Sequence, residues 1–447
     1  MLSPVPMVMR RGLAVVVTGV VAGIAVVLFH WSLEGLTYLL RAILGVKELV
    51  SPIHVVHLVG ERLWVLPIAI FIGLCIAKLV STASGVAGQR ERGADRVIEA
   101  VNGSELDLPL TETLGTAVAG VIALGTGVSG GPEGPIAMLV GGPLLRLLSW
   151  CSLDDSSTRV FVAAGVGAAL ACIFRAPFAG VLLAGELFVL AGFVGAVIVP
   201  GLLVTAIAWM IDSVAVGGSP LIGHLLFGSI HAEAYVSAVV IGLIAGLIGL
   251  LYRWWIAVVA KSITRYSRST YRRWLSVAIG VAAMTAGIGL VAPEVLSTGT
   301  GWIRLVTLLG AESRAWPLWL LLLVPVARIA LTGLSLSAEA PIGVLGPALV
   351  IGAFSGVLLW RIVSLAHLPL SFGTLPLFAI IMFAAVFGSI GRIPLSMVVI
   401  ALTATGSLTV AAAVMVAVAV ALLVVQRKRI TIFGSQVLAG RSPLSSP

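Results

Sequence analysis

The sequence predicts an all-α polytopic membrane protein made of two repeated halves of tilted and broken helices. Three observations predict it. Of the 447 residues, 60% are hydrophobic and only 10% charged. Soluble domains are about half apolar and about a quarter charged, so these charges are too few to coat a globular surface. The apolar residues fall in long runs, several exceeding the about 20 residues that one crossing needs. Glycine–proline steps then cut those runs at matching places in the two halves, a pattern of discontinuous membrane helices.

The runs lie near 12–44, 62–80, 111–128, 158–174, 178–211, 234–260, 274–291, 317–333, 343–364, 375–388 and 394–426. Some are long enough to tilt and others are too short to cross alone. The first follows Arg10 and Arg11 and has the layout of a secretory signal. It is too long for one, lacks a small-x-small exit and precedes many more spans, so it reads as the first membrane helix. The 51 glycines fit the class, since glycine is frequent in membrane helices.

Basic clusters set the orientation. Arg10 and Arg11 precede the first run, Arg90, Arg92 and Arg96 follow the second, and Lys261, Arg265, Arg268, Arg272 and Arg273 stand together without an acid. Arg427, Lys428 and Arg429 follow the last run. Placed inside, they leave both termini cytoplasmic in a multi-pass cell (inner) membrane protein. They also account for the net charge of +9, which therefore implies no nucleic-acid partner. Cys75, Cys151 and Cys172 are odd in number and scattered, which suits buried packing better than a disulfide framework or a metal site. The polar tail "LAGRSPLSSP" is short, and no soluble domain is expected: residues 1–447 read as one membrane domain with halves near 1–225 and 226–447.

The repeat is carried by "GPEGPIAMLVGG" from Gly131 and "GVLGPALVIGA" from Gly343, each G-x-x-G-P before an apolar run. "FRAPFAGVLLAG" follows the first and "GRIPLSMVVIAL" the second, with Pro177 lying 42 residues after Pro135 and Pro394 lying 47 after Pro347. A Gly-Pro entry lets a helix begin inside the bilayer. Its first N–H groups lack intrahelical partners and carry partial positive charge, so it attracts an anion. Proline suits such a start because it has no N–H to lose. Two starts, one from each half, can face one anion. The lone acid at the first, Glu133, can occupy that site when nothing else does and leave it on protonation or competition, which makes it a candidate gate.

These residues carry a family likeness. "GGPEGPIAMLVGG" resembles the G-[K/R]-E-G-P motif of the CLC family of chloride channels and proton-coupled chloride antiporters. "APIGVLGPALVIGA" resembles their G-x-F-x-P motif. "AAGVGAALACIFRAPFAGVLLAGELF" resembles the segment after the gate motif in bacterial members, and "TIFGSQVL" the segment bearing their central tyrosine. The likeness runs over nearly the whole chain. It implies a homodimer in the lipid bilayer, inverted halves, one chloride pathway per subunit and no cofactor. By carry-over Glu133 is the gate, and Gly131, Pro132, Gly134, Gly343, Val344, Leu345 and Phe433 surround the anion.

The departures bear on mechanism. Pro132 replaces the basic residue before the gate, and Leu345 replaces the phenylalanine of G-x-F-x-P. Phe433 stands at the tyrosine, without its hydroxyl. Arg92 takes the place of the pore serine, either as an anion ligand or as an ordinary basic residue of a cytoplasmic loop. Leu187 stands where antiporters carry the inner proton-relaying glutamate, with Glu186 beside it as a substitute or as a helix-face acid. Anion binding is thus expected to rest on backbone N–H groups, and tight proton coupling is not expected.

Other residues are less telling. His54, His57 and Glu61 lie close in sequence but lack metal-ligand spacing. Glu339 precedes the second broken helix, where it repels anions, caps a turn or faces water. Arg175 and Arg392 precede prolines at matching places, where they satisfy helix-end carbonyls or line a vestibule. An intramembrane enzyme would need a nucleophile with a base, or a metal cluster; Ser129 near Glu133 is the sole faint candidate, and no catalytic or metal residue is expected. The leading expectation is channel-like or weakly proton-coupled chloride transport. The alternatives are a proton-coupled chloride antiporter and a degenerate, non-transporting member.

Overall fold

The computed structural model describes residues 7–46, 60–86, 93–103, 105–188, 194–219, 233–310, 316–366 and 374–426. Their regular elements are helices: α1 (Met7–Leu44), α2 (Leu66–Ala83), α3 (Ala94–Asn102), α4 (Leu110–Gly125), α5 (Glu133–Leu148), α6 (Asp155–Ile173), α7 (Gly180–Leu187), α8 (Val194–Ala215) and α9 (Glu233–Trp254). A π-type turn, Trp255–Ala260, carries α9 into α10 (Lys261–Arg268). Then follow α11 (Tyr271–Val291), α12 (Gly301–Leu309), α13 (Leu318–Ser337), α14 (Leu345–Leu365), α15 (Leu375–Gly391), α16 (Pro394–Thr405) and α17 (Leu408–Gln426). Among the described residues ten segments are long and apolar enough to cross a membrane. The all-α polytopic reading holds. Two apolar runs divide: 178–211 into α7 and α8, and 394–426 into α16 and α17 at Gly406, whose φ of 62° suits glycine.

Lipid tails are as apolar as leucine, so helix association here rests on close contact through small residues. Three glycine pairs spaced by four provide it. Gly19 and Gly23 of α1 admit Ile207 and Ile211 of α8; a Cβ on Gly19 would stand 2.6 Å from that of Ile207. Gly242 and Gly246 of α9 receive Val420 and Val424 of α17, and Gly352 and Gly356 of α14 lie against Phe383 and Ala379 of α15. The three cysteines are free, with Cys151 and Cys172 buried.

Asp154 starts α6 by accepting from the N–H of Ser157 at 3.1 Å. The side-chain and backbone hydrogen bonds of Ser157 hold its carboxyl below the ordinary range. Because the folded value is the lower one, the cap contributes fully above the unfolded pKa of about 3.9 and fades as the pH falls through the folded value. Asp154→Ala should cost about 1 kcal/mol at neutral pH. Thermal unfolding in detergent checks this: the gap between wild type and variant should narrow as the pH falls below the unfolded value.

Candidate anion site where two broken helices meet

The loop after α4 and the loop after α13 are joined through their backbones. Gly131 donates to the carbonyl of Gly343 at 2.9 Å and Gly343 donates back to that of Gly131 at 2.7 Å. This reciprocal pair fixes the start of α5 against the start of α14. Glycine at both positions leaves room for the seated acid: a Cβ on either would meet the carboxyl group of Glu133. Prolines 135 and 347 fall in the first turns of the two helices, where a missing N–H costs nothing.

Glu133 opens α5 and is 1% exposed. Its carboxylate crosses to the other helix start. One oxygen accepts from the N–H of Leu345, and the other accepts from the N–H of Gly346 at 3.1 Å. Those groups have no intrahelical partner, so the acid fills a ready-made anion site. The donors are Leu345 and Gly346; Val344 contributes through its carbonyl, which accepts from the buried hydroxyl of Tyr252 at 2.8 Å. A third helix start abuts the pair. Gly93, the N-cap of α3 with φ 58°, lies so close that its Cβ would stand 3.0 Å from the Cα of Gly134. Gly131, Pro132, Glu133, Gly134, Gly343, Val344 and Leu345 therefore share one site. Arg92 and Phe433 lie outside the described residues, as do His54 and His57.

The loop carrying the acid is held from behind. Arg328 of α13 is fully buried and donates to the carbonyls of Glu294 (2.8 Å), Leu296 (3.3 Å) and Ser297 (2.7 Å), and to Ser129 Oγ (3.1 Å). Gly130 also donates to the Ser297 carbonyl at 3.3 Å. Ser129, weighed above as a nucleophile, is thus an acceptor in a structural network. Glu294 is completely buried, and neither carboxylate oxygen finds a hydrogen-bond partner among the described residues.

A cavity of about 980 Å³ leads to this place, with Pro132 in its wall. His30, Glu34, Arg41, Arg175, Asp212 and Arg304 also line it. Glu34 sits 3.0 Å from His30 and Asp212 3.0 Å from Arg175. Three arginines, Arg41, Arg175 and Arg304, outnumber the two acids Glu34 and Asp212, which leaves the wall positive and concentrates anions.

The remaining sequence candidates resolve differently. Glu339 is 3% exposed and bound by Lys78 and Arg268, so it does not face water. Arg175 does serve a chain end, donating to the carbonyl of Gly217 after α8 and pairing with Asp212. Arg392 does not: it makes no such bond among the described residues, and its Nε is buried without a partner. Leu187 is buried. Glu186, expected as a helix-face acid or a relay, reaches the start of α16, accepting from the N–H of Leu395 (2.8 Å) and Ser396 (2.9 Å) and from the Ser396 hydroxyl. A short helix with no N-terminal side chain of its own recruits the nearest carboxylate. Glu186→Ala should therefore cost about 3 kcal/mol, three donors at ~1 kcal/mol each, read as a lower Tm, while the ratio of proton to anion movement stays that of the wild type. A changed ratio at unchanged stability would make Glu186 a relay.

Comparison with known proteins follows the same lines. Residues 68–426 match the family described as voltage gated chloride channel. The H(+)/Cl(-) exchange transporter ClcA of Citrobacter koseri is 25% identical over 302 residues, 64% of this chain and 60% of that protein. Its namesake in Vibrio cholerae is 24% identical over 291 residues, 64% of this chain and 61% of that protein. The chain thus spans about three fifths of the length of these curated relatives. Among solved structures, a slow cyanobacterial Cl-/H+ antiporter superposes with a TM-score of 0.80 at 20% identity, covering 100% of this chain and 99% of its own. A CLC-type fluoride/proton antiporter gives 0.73 at 22% identity, covering 96% and 98%. At those identities the likeness is one of fold.

Proposed function

The chain belongs to the voltage-gated chloride channel family, and from that premise we propose that it carries a small anion, chloride or one like it, across the membrane through the α14 start, with Glu133 as the gate. One observation carries the reading: the Glu133 carboxylate occupies the N–H groups of Leu345 and Gly346. A protein anion sitting there marks where a free anion would bind. When Glu133 is protonated, or outcompeted by an anion arriving through the positive cavity, its hold on those amides ends and the anion takes its place.

Coupling to protons is weak in this reading. Leu187 carries no proton, and Glu186 is committed to the α16 start. The second reading, full proton–anion exchange, is favoured by what the relatives' names say of those proteins. As in the family, the working unit is a homodimer in the bilayer, with inverted halves near 1–225 and 226–447, both termini inside and no cofactor.

Anion efflux from proteoliposomes with simultaneous pH recording separates the cases. Efflux with little linked proton movement is expected. Chloride flow that drives protons uphill would favour exchange. Absence of efflux of chloride, nitrate and fluoride alike would leave a degenerate, non-transporting member.

A further inference from the structure

Arg253 and Arg392 are guanidinium groups that the site above does not use. Arg253 lies at the end of α9 and is 1% exposed. Arg392 occupies the left-handed turn between α15 and α16, with φ 58°. The charge that bears on Arg253 is that of Arg392, of the same sign. Both Nε atoms are buried without a hydrogen-bond partner among the described residues. Arg253 makes one long contact, Nη1 to the Ser389 carbonyl at 3.5 Å, and the ion pairs among the described residues involve neither arginine.

The first half of the chain provides the contrast. Arg175 stands in the corresponding turn with φ 54°, and there Asp212 neutralises it at 3.0 Å. The second half keeps the arginine, adds another and, among the described residues, supplies no acid. Arginine does not escape such a position by losing its proton. Arg253 is out of water and Arg392 partly so; like charges so placed are costly unless a counter-charge joins them, and open guanidinium donors are the groups proteins use to hold anions. The pair also flanks the anion pathway. Tyr252, next to Arg253, donates to the carbonyl of Val344. Gly391, next to Arg392, is so placed that its Cβ would stand 3.2 Å from Leu345 Cδ2.

The geometry points to a second small-anion site, between the guanidinium groups of Arg253 and Arg392, that takes a monovalent inorganic ion such as chloride or bromide. It is separate from the amides that Glu133 occupies and does not depend on Glu133 moving. An anion held there neutralises the pair and sits beside the residues that position the α14 start.

Crystals of the full chain grown in bromide, read by anomalous scattering, test this on the unaltered protein. A bromide peak within hydrogen-bond reach of both arginines is expected, lost in Arg392→Gln but kept in Glu133→Gln. Radioactive chloride bound at equilibrium should fall by one ion per chain in Arg392→Gln. A pair left empty with bromide in excess would overturn the inference, as would a carboxylate from elsewhere in the chain lying between the two groups, or a peak that survives Arg392→Gln. A filled pair beside an empty α14 start in Glu133→Gln would count against the gate reading and leave this site standing.

Discussion

Glu133→Gln should leave anion efflux running and remove its dependence on external pH. The carboxylate holds the N–H groups of Leu345 and Gly346 with both oxygens, and an incoming anion must displace it. A hydrogen bond to a charged group is worth about 1.5–3 kcal/mol net. The amide keeps the size of the acid but loses its charge and its titration, so protons no longer control access. Glu133→Ala goes further and vacates the amides. If about 1.4 kcal/mol of competition disappears, apparent anion affinity rises about tenfold. Proteoliposome efflux at several external pH values reads the first effect, and isothermal titration with chloride reads the second. An unchanged pH profile in Glu133→Gln, with unchanged affinity in Glu133→Ala, would sink the gate.

Arg328→Leu should be the most destabilising single change near the site. It orphans the carbonyls of Glu294 and Leu296 and the hydroxyl of Ser129, while the Ser297 carbonyl keeps the Gly130 N–H. Each buried acceptor left without a donor costs ~1–3 kcal/mol, so three at the low end give about 3 kcal/mol or more. Arg328→Lys should fall between, since an ammonium keeps the charge but loses the planar fork that serves several acceptors at once. Thermal unfolding in detergent, followed by tryptophan fluorescence, should rank wild type above Lys above Leu. A Leu variant as stable as the wild type would mean that these loops hold their shape without the guanidinium. The same change should disturb gating, because the network ends on the loop that delivers Glu133.

Tyr252 and Arg328 show where reading the chain in order stops. Each stands inside an apolar run, and its neighbours in sequence give no hint of a partner. Arg328 meets Ser129 across 199 positions and Tyr252 meets Val344 across 92. Glu186 read as a helix-face acid or a substitute relay, and its place at a helix start could not be seen because that start is 209 residues away. Arg175 and Arg392 matched in sequence, yet among the described residues only Arg175 pairs with an acid, Asp212 of α8. Glu133 was legible for the opposite reason: an isolated acid beside Gly and Pro in an apolar run is a local signal.

What the sequence determined by itself was whatever depends on a window of neighbouring residues. Hydropathy summed along a run places helices in the bilayer, and Gly-Pro steps end or start them. An acid at such a start is an anion within reach of unpaired amides. The tertiary structure decided which amides. The carboxylate of α5 bonds the start of α14, 212 positions away, because the Gly131–Gly343 pair brings two loops into contact and leaves no Cβ in the way. Partner choice at that distance is set by how whole helices pack, and packing depends on shape complementarity between surfaces that no stretch of sequence contains alone.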